Sequence, residues 1–222
     1  MRGGKLRPAL RYIKHAGYLA RRRFDRVAAS LPFLAAKERL YDDDFFAHTD
    51  RMHGPMYSRL AEAVYERLRP ESAVDVGCGT GFVLARLAER GVEVRGIEGS
   101  RHAIQASPVR DRIVRANLER GVPNLGRFDL AVCIEVAEHL PKRVALPLVE
   151  GLAAMSDRVL FTAAQPGQVG THHVNEQPRE FWLDLFARQG LRESPLTQEL
   201  LADVAGIREP EWMAQNLMLL ER

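Results

Sequence analysis

The stretch that most constrains this chain lies at residues 72–81. An apolar run, Ser72-Ala73-Val74-Asp75-Val76, passes directly into Gly77-Cys78-Gly79-Thr80-Gly81. A helical pattern follows at 81–90, with Leu84, Leu87 and Ala88 on one side and Gly91 as its stop. Glycines at such a turn let the backbone bend tightly and approach a ligand closely. The remaining chain alternates in the same way. Strands are expected at 92–97, 112–116, 128–134 and 158–164. Helices are expected at 56–69, 101–107, 142–155 (with Pro147 as a flaw) and 178–189, and the apolar 213–220 reads as a last strand. Short apolar strands alternating with helices predict a doubly wound α/β sheet, which binds ligands beyond the carboxyl ends of its strands.

The loop's own chemistry narrows the ligand. A dinucleotide loop would carry a third glycine at position 82, which is Phe82, and a triphosphate loop would need Gly-Lys-Ser/Thr. Asp75 adds a negative charge that repels phosphate and suits a cation. Glu98 ends the second strand, where an acid can accept ribose hydroxyls. Asn117, after the third strand, can address an adenine edge through its amide. A ribose, an adenine and a positive charge without phosphate describe S-adenosylmethionine.

With these residues in view, the chain resembles the class I S-adenosylmethionine-dependent methyltransferases. The likeness rests on Asp75-Val-Gly-Cys-Gly-Thr-Gly81, Glu98, Asn117-Leu118 and the strand Phe128–Glu135, in that order, and covers roughly residues 40–222. It implies a Rossmann-like sheet of seven strands, mostly parallel with an antiparallel last strand, to which Trp212–Glu221 would contribute. It also implies cofactor binding by Asp75, Gly77, Cys78, Gly79, Gly81, Glu98, Asn117, Leu118 and Ile134.

Two segments face the expected acceptor side. One is Glu135-Val136-Ala137-Glu138-His139, the other Thr171-His172-His173-Val174-Asn175-Glu176-Gln177-Pro178. A neutral hydroxyl is a poor nucleophile and gains from a base or a metal, and histidine titrates near neutrality. His139, His173 and Glu135 are therefore the candidate catalytic residues. Glu135, Glu138, His139 and His173 also have the composition of a divalent-cation site. The Glu-x-x-Glu-His pattern is similar to that of ubiquinone-pathway O-methyltransferases and of small-RNA 2′-O-methyltransferases. It also resembles family members not known to bind metal, in which Glu135 would contact cofactor and His139 would cap a helix or line the pocket. The run from His172 to Trp182 resembles bacterial methyltransferases of glycan and natural-product pathways. Tyr41, Phe45, Phe46 and Tyr57 precede the core, either as a lid or as ordinary packing residues.

Charge divides the chain. Its net +3 conceals an excess of +8 in residues 1–30, leaving −5 for the other 192. Leu6, Leu10, Ile13, Gly17, Ala20, Phe24, Val27 and Leu31 recur at helical spacing. Residues 1–37 thus read as a basic amphipathic arm and 38–222 as the catalytic domain. Such a helix suits a membrane surface or nucleic acid, or simply packs on the body or a partner. With 46% hydrophobic and 27% charged residues the composition is globular, and the two cysteines, Cys78 and Cys133, are too few for a disulfide framework. A cytoplasmic enzyme is expected, with peripheral membrane contact through residues 1–30 as one use of the arm.

The leading expectation is O-methylation of a small hydroxylated acceptor: a sugar, a phenol or a natural-product intermediate. RNA 2′-O-methylation through the basic arm, and methylation of a lipid-linked acceptor at a membrane surface, are the alternatives.

Overall fold

The structure, a computed structural model, describes residues 41–168, 170–205 and 211–222. The expected basic arm at 1–37 and its boundary with the catalytic domain lie outside them. In the described residues the chain begins with a long helix, α1 (Asp43–Leu68). The alternating part follows as β1 (Ser72–Val76), α2 (Phe82–Glu89), β2 (Glu93–Glu98), α3 (Arg101–Ala106), β3 (Ile113–Arg115) and β4 (Leu130–Ile134). After it come α4 (Ala145–Met155), β5 (Arg158–Thr162), α5 (Arg179–Arg188), β6 (Arg192–Glu193), α6 (Leu196–Val204), α7 (Glu211–Asn216) and β7 (Met218–Glu221).

The strands form one seven-stranded sheet in the order β3-β2-β1-β4-β5-β7-β6. Strands β1 to β5 run parallel, and β7 runs antiparallel to β5 and to β6. The expected seven-stranded, mostly parallel sheet is thus observed. Its central strands are buried almost throughout, since helices cover both faces. On one face Phe161 lies 5.1 Å, ring to ring, from both Trp182 and Phe186 of α5, with Leu148 and Leu152 of α4 in the same cluster. On the other, Leu60 and Val64 of α1 pack with Leu84 and Leu87 of α2 and Leu200 of α6. No helix among the described residues is long and apolar enough to cross a membrane.

Several elements depart from the sequence reading. Helix α1 starts at Asp43, well before Met56, and runs through Gly54-Pro55. Asp42 caps it by accepting from the Phe45 amide, and Asp43 and Asp44 in the first turn suit the positive helix end. Pro55 removes one backbone donor, whereas Gly54 lets α1 press against Phe82, since a Cβ there would stand 2.7 Å from the ring's Cζ. Pro147 is no flaw: it falls in the first turn of α4, where amides have no helical acceptor. Residues 213–220 are not one strand but the end of α7 followed by β7. The pair β6 and α6 was not expected at all.

Candidate active site

Strand β1 delivers the glycine loop to the carboxyl end of the sheet. The Gly77 and Cys78 amides donate to the Ile97 carbonyl at 2.7 and 3.2 Å, which ties the loop to β2. Gly77 and Gly79 have φ of 83° and 54°, left-handed values that side chains resist. Gly77 is doubly required, because a Cβ there would lie 2.5 Å from Val136 Cγ2. Gly81, also left-handed, precedes the first turn of α2.

Asp75 and Glu98 meet beneath this loop. Burial, and then the charge of Glu98, push the Asp75 carboxyl up to about 8. Burial also raises Glu98, against the pull of three backbone amides. Those amides come from Gly99 and Ser100, both 2.7 Å from Oε1, and from Gly79, 2.8 Å from Oε2. A carboxylate has about four acceptor sites, so one remains on Glu98. The expected grip on two ribose hydroxyls therefore requires one amide to give way. Asn117 spends its Oδ1 as a cap on the Glu119 amide, which leaves its NH2 group as a donor. Leu118 is buried beside it, and Ile134 ends β4 half-buried. Cys78 packs toward Gly96, and burial with the nearby Asp75 and Glu98 charges holds its thiol protonated.

The acceptor side is built by one junction. The turn after β4, Ala137–His139, is gripped by the later loop. The Val174 and Asn175 amides donate to the Glu138 carbonyl at 2.8 and 3.1 Å, and Asn175 Nδ2 donates to the Ala137 carbonyl. This brings the His139 and His173 rings to 5.1 Å. One donor atom each from Glu138, His139 and His173 lies within 4.8 Å of the others. Glu138 is fully buried, and neither carboxylate oxygen has a hydrogen-bond partner among the described residues. Burial and then Glu135 push its carboxyl well above the ordinary range. Glu135 itself does not belong to this trio. It has a left-handed φ of 54°, its amide donates to Thr162 Oγ1 at 2.9 Å, and its Oε1 accepts from Asn216. His172 is likewise left-handed, at 56°.

Helix α1, with Tyr41 just before it, borders both parts of the site. Thr80 of the loop donates to Asp50 at 2.9 Å, and Phe46 stands opposite Gly79. The Tyr41 ring meets His139 edge-on at 6.0 Å. Tyr57 is half-buried, and desolvation with the charges of Glu135, Glu138, Asp75 and Asp50 keeps its phenol protonated. Sequence reasoning missed Asp50, Gln168 and Asn216. No motif marks them, and only folding brings them to the site.

A family profile described as a methyltransferase domain matches residues 74–155. The ubiquinone biosynthesis O-methyltransferase of Pseudomonas paraeruginosa is 30% identical over 131 residues, covering 54% of this chain and 50% of that one. The Alkalilimnicola ehrlichii enzyme of the same name is 33% identical over 76 residues, or 31% of each chain. The chain thus spans a third to a half of the length of these curated relatives. Among solved structures, a sugar N-methyltransferase from a Streptoalloteichus species superposes with a TM-score of 0.60 at 16% identity, covering 81% of this chain and 92% of that one. Magnesium protoporphyrin IX methyltransferase from Synechocystis, solved with bound S-adenosylhomocysteine, gives 0.57 at 16% identity over 77% and 83%. Sheet order, glycine loop and profile match point the same way: residues 74–155 match a methyltransferase domain, and the chain shares its fold with solved methyltransferases.

Proposed function

We propose that this protein transfers the methyl group of S-adenosylmethionine to a hydroxyl of a small acceptor. The observation that carries the reading is the junction of Glu138, His139 and His173 at the carboxyl end of β4, beside the glycine loop. The curated relatives' names support O-methylation.

The residues present fit the cofactor. Gly77 and Gly79 leave the backbone bare, Glu98 has acceptor capacity at the end of β2, and the Asn117 amide group is free to donate. S-adenosylmethionine supplies a methyl group on a cationic sulfur, ready for in-line displacement. Asp75 and Glu98 favour that cation, and the loop fixes its position. Orientation of the two reactants then removes much of the barrier.

The same junction fits a divalent cation. The two partnerless oxygens of Glu138 are costly to bury unless something binds them. His173 Nδ1 is engaged by the Gln168 carbonyl at 3.1 Å and Glu176 Oε1 at 3.0 Å, so its proton belongs on Nδ1 and its lone pair on Nε2. His139 Nδ1 faces the His172 carbonyl at 3.4 Å, with the same consequence. Glu138, His139 and His173 would hold the ion, which would act as a Lewis acid on the acceptor hydroxyl. Glu135 stays outside that ligand set.

The test is methyl-label transfer from S-adenosylmethionine into fractionated cell extract, with and without chelator. Label in the small-molecule fraction that chelator abolishes and Mg2+ or Mn2+ restores is expected. The variant His139→Ala/His173→Ala should lose transfer at least about 100-fold while binding cofactor normally. Chelator-resistant transfer that still needs both histidines would replace the cation by a histidine base. Unchanged transfer in the double variant would overturn the site.

A further inference from the structure

The strained Glu135 and the candidate ligand His173 are joined through a network of carboxamides, and its buried centre is Asn216 at the end of α7. Asn216 is 1% exposed. Its Nδ2 donates to Glu135 Oε1 at 3.2 Å and to Gln168 Oε1 at 3.0 Å. Its Oδ1 accepts from Gln168 Nε2 at 3.2 Å and from Gln165 Nε2 at 3.4 Å. Gln168 and Asn216 therefore form a reciprocal amide pair. Gln168 Oε1 also accepts from the Gln165 amide at 2.8 Å, and Gln168 Nε2 donates to Gln215 Oε1 at 3.2 Å. Both polar ends of both carboxamides are satisfied, which makes the network rigid and its geometry specific.

The network reaches both halves of the site. On one side Glu135 precedes Val136, whose methyl groups crowd Gly77 of the cofactor loop. On the other, the Gln168 carbonyl and Glu176 hold His173 Nδ1, while Glu176 Oε2 also accepts from the Gly167 amide at 2.9 Å. A left-handed Glu costs about 1–3 kcal/mol and persists only where its surroundings over-determine it. Thr162 fixes its amide and Asn216 its carboxylate, so Asn216 helps to hold this conformation.

We infer that Asn216 is a positioning residue that couples Glu135, next to the Val136 that packs on the glycine loop, to His173 through Gln168. It fixes the segment 165–178 and so holds the His173 ring beside Glu138 and His139. The inference deepens the proposed function and rests on that reading of the His173 junction.

The test compares wild type with Asn216→Asp and Gln168→Leu. Asn216→Asp keeps the shape but sets a carboxylate against Glu135 and the Gln168 carbonyl oxygen. Gln168→Leu removes the partner without adding charge and serves if the first variant folds poorly. The first measurement is amide hydrogen exchange in the ligand-free protein. Exchange at Gly167, Val174 and Asn175 should quicken about tenfold, while Gly77 and Cys78, bonded to Ile97 across the sheet, keep wild-type protection. The second is calorimetric titration with Mn2+ alone and with S-adenosylmethionine alone. Affinity for Mn2+ should fall about tenfold or more, with that for S-adenosylmethionine changed by less than about threefold. Unchanged exchange across 165–178 in both variants would overturn the inference. So would a loss of protection spread equally to Gly77 and Cys78, since that is general loosening. A wild-type protein that binds neither probe would sink the proposed function and leave the exchange comparison to decide the coupling.

Discussion

Gly77 joins two demands at one residue, and they can be separated by substitution. Its φ of 83° disfavours any side chain, and a Cβ would also strike Val136. Gly91 has a similar φ of 87° with nothing within 4 Å of its added Cβ. Gly91→Ala should therefore cost only the conformational penalty, about 1 kcal/mol. Gly77→Ala should cost about 3 kcal/mol, because the clash adds to the strain. Val136→Ala in the Gly77→Ala background should recover about 1 kcal/mol of that, read as a coupling in a urea-unfolding double-mutant cycle. No coupling would mean that the loop avoids Val136 by moving. The glycine was legible in the sequence because a turn motif announces it. Its contact with Val136 was not, since 59 positions of chain separate the two and only the β1–β4 pairing brings them together.

At the scale of elements, what periodicity and punctuation encode was readable. The strands β4 and β5 carry continuous apolar runs, whereas β1 is interrupted by Asp75 and β2 alternates Val94 and Ile97 with Glu93 and Arg95. The start of α1 was hidden behind Gly54-Pro55, which by local rules ends a helix. Here the break is tolerated because burying Met56, Leu60 and Val64 against α2 stabilises the helix beyond one lost hydrogen bond, and Phe46 is buried on the far side of the proline. The pair β6, Arg192-Glu193, has two exposed charged residues and no pattern at all. It is a strand because β7 offers it an edge. The cap of α1 has a functional consequence, since the first half of the helix brings Asp50 and Phe46 to the glycine loop. Asp42→Ala should lower stability by about 1 kcal/mol, and Asp42→Asn should restore most of it. Affinity for S-adenosylmethionine should fall with the cap and return with the asparagine, measured by calorimetry. Lost stability with unaltered affinity would detach the start of α1 from the cofactor site.

Across the whole molecule, acids are gathered where the sheet's carboxyl ends open. Asp75 and Glu98 lie under the glycine loop, and Asp50 faces it from α1. In all three, burial is the largest cause and the pKa is raised. An acid raised on folding binds more protons in the folded state than in the unfolded one. Its contribution to stability is complete below the unfolded pKa and is lost as pH rises through the folded one. For Asp75 that window runs from 3.8 to about 8. The opposite shifts, at Asp203 beside Arg67 and Glu62 beside Arg90, belong to solvent-exposed pairs, which contribute little and act only in acid. The ligand-free protein should therefore melt lower at pH 8 than at pH 5, by at least about 5 °C. Asp75→Asn cannot ionise and should flatten much of that slope. A cation bound beside these groups favours their charged forms, so S-adenosylmethionine should raise the melting temperature more at pH 8 than at pH 5. S-adenosylhomocysteine, whose sulfur is neutral, should show a weaker dependence on pH. Calorimetric melts of both proteins with each ligand separate the causes. If the two ligands stabilise with the same pH dependence, the acids serve the fold alone. If they differ and Asp75→Asn removes the difference, the buried charge that weakens the empty fold is also what recognises the sulfonium.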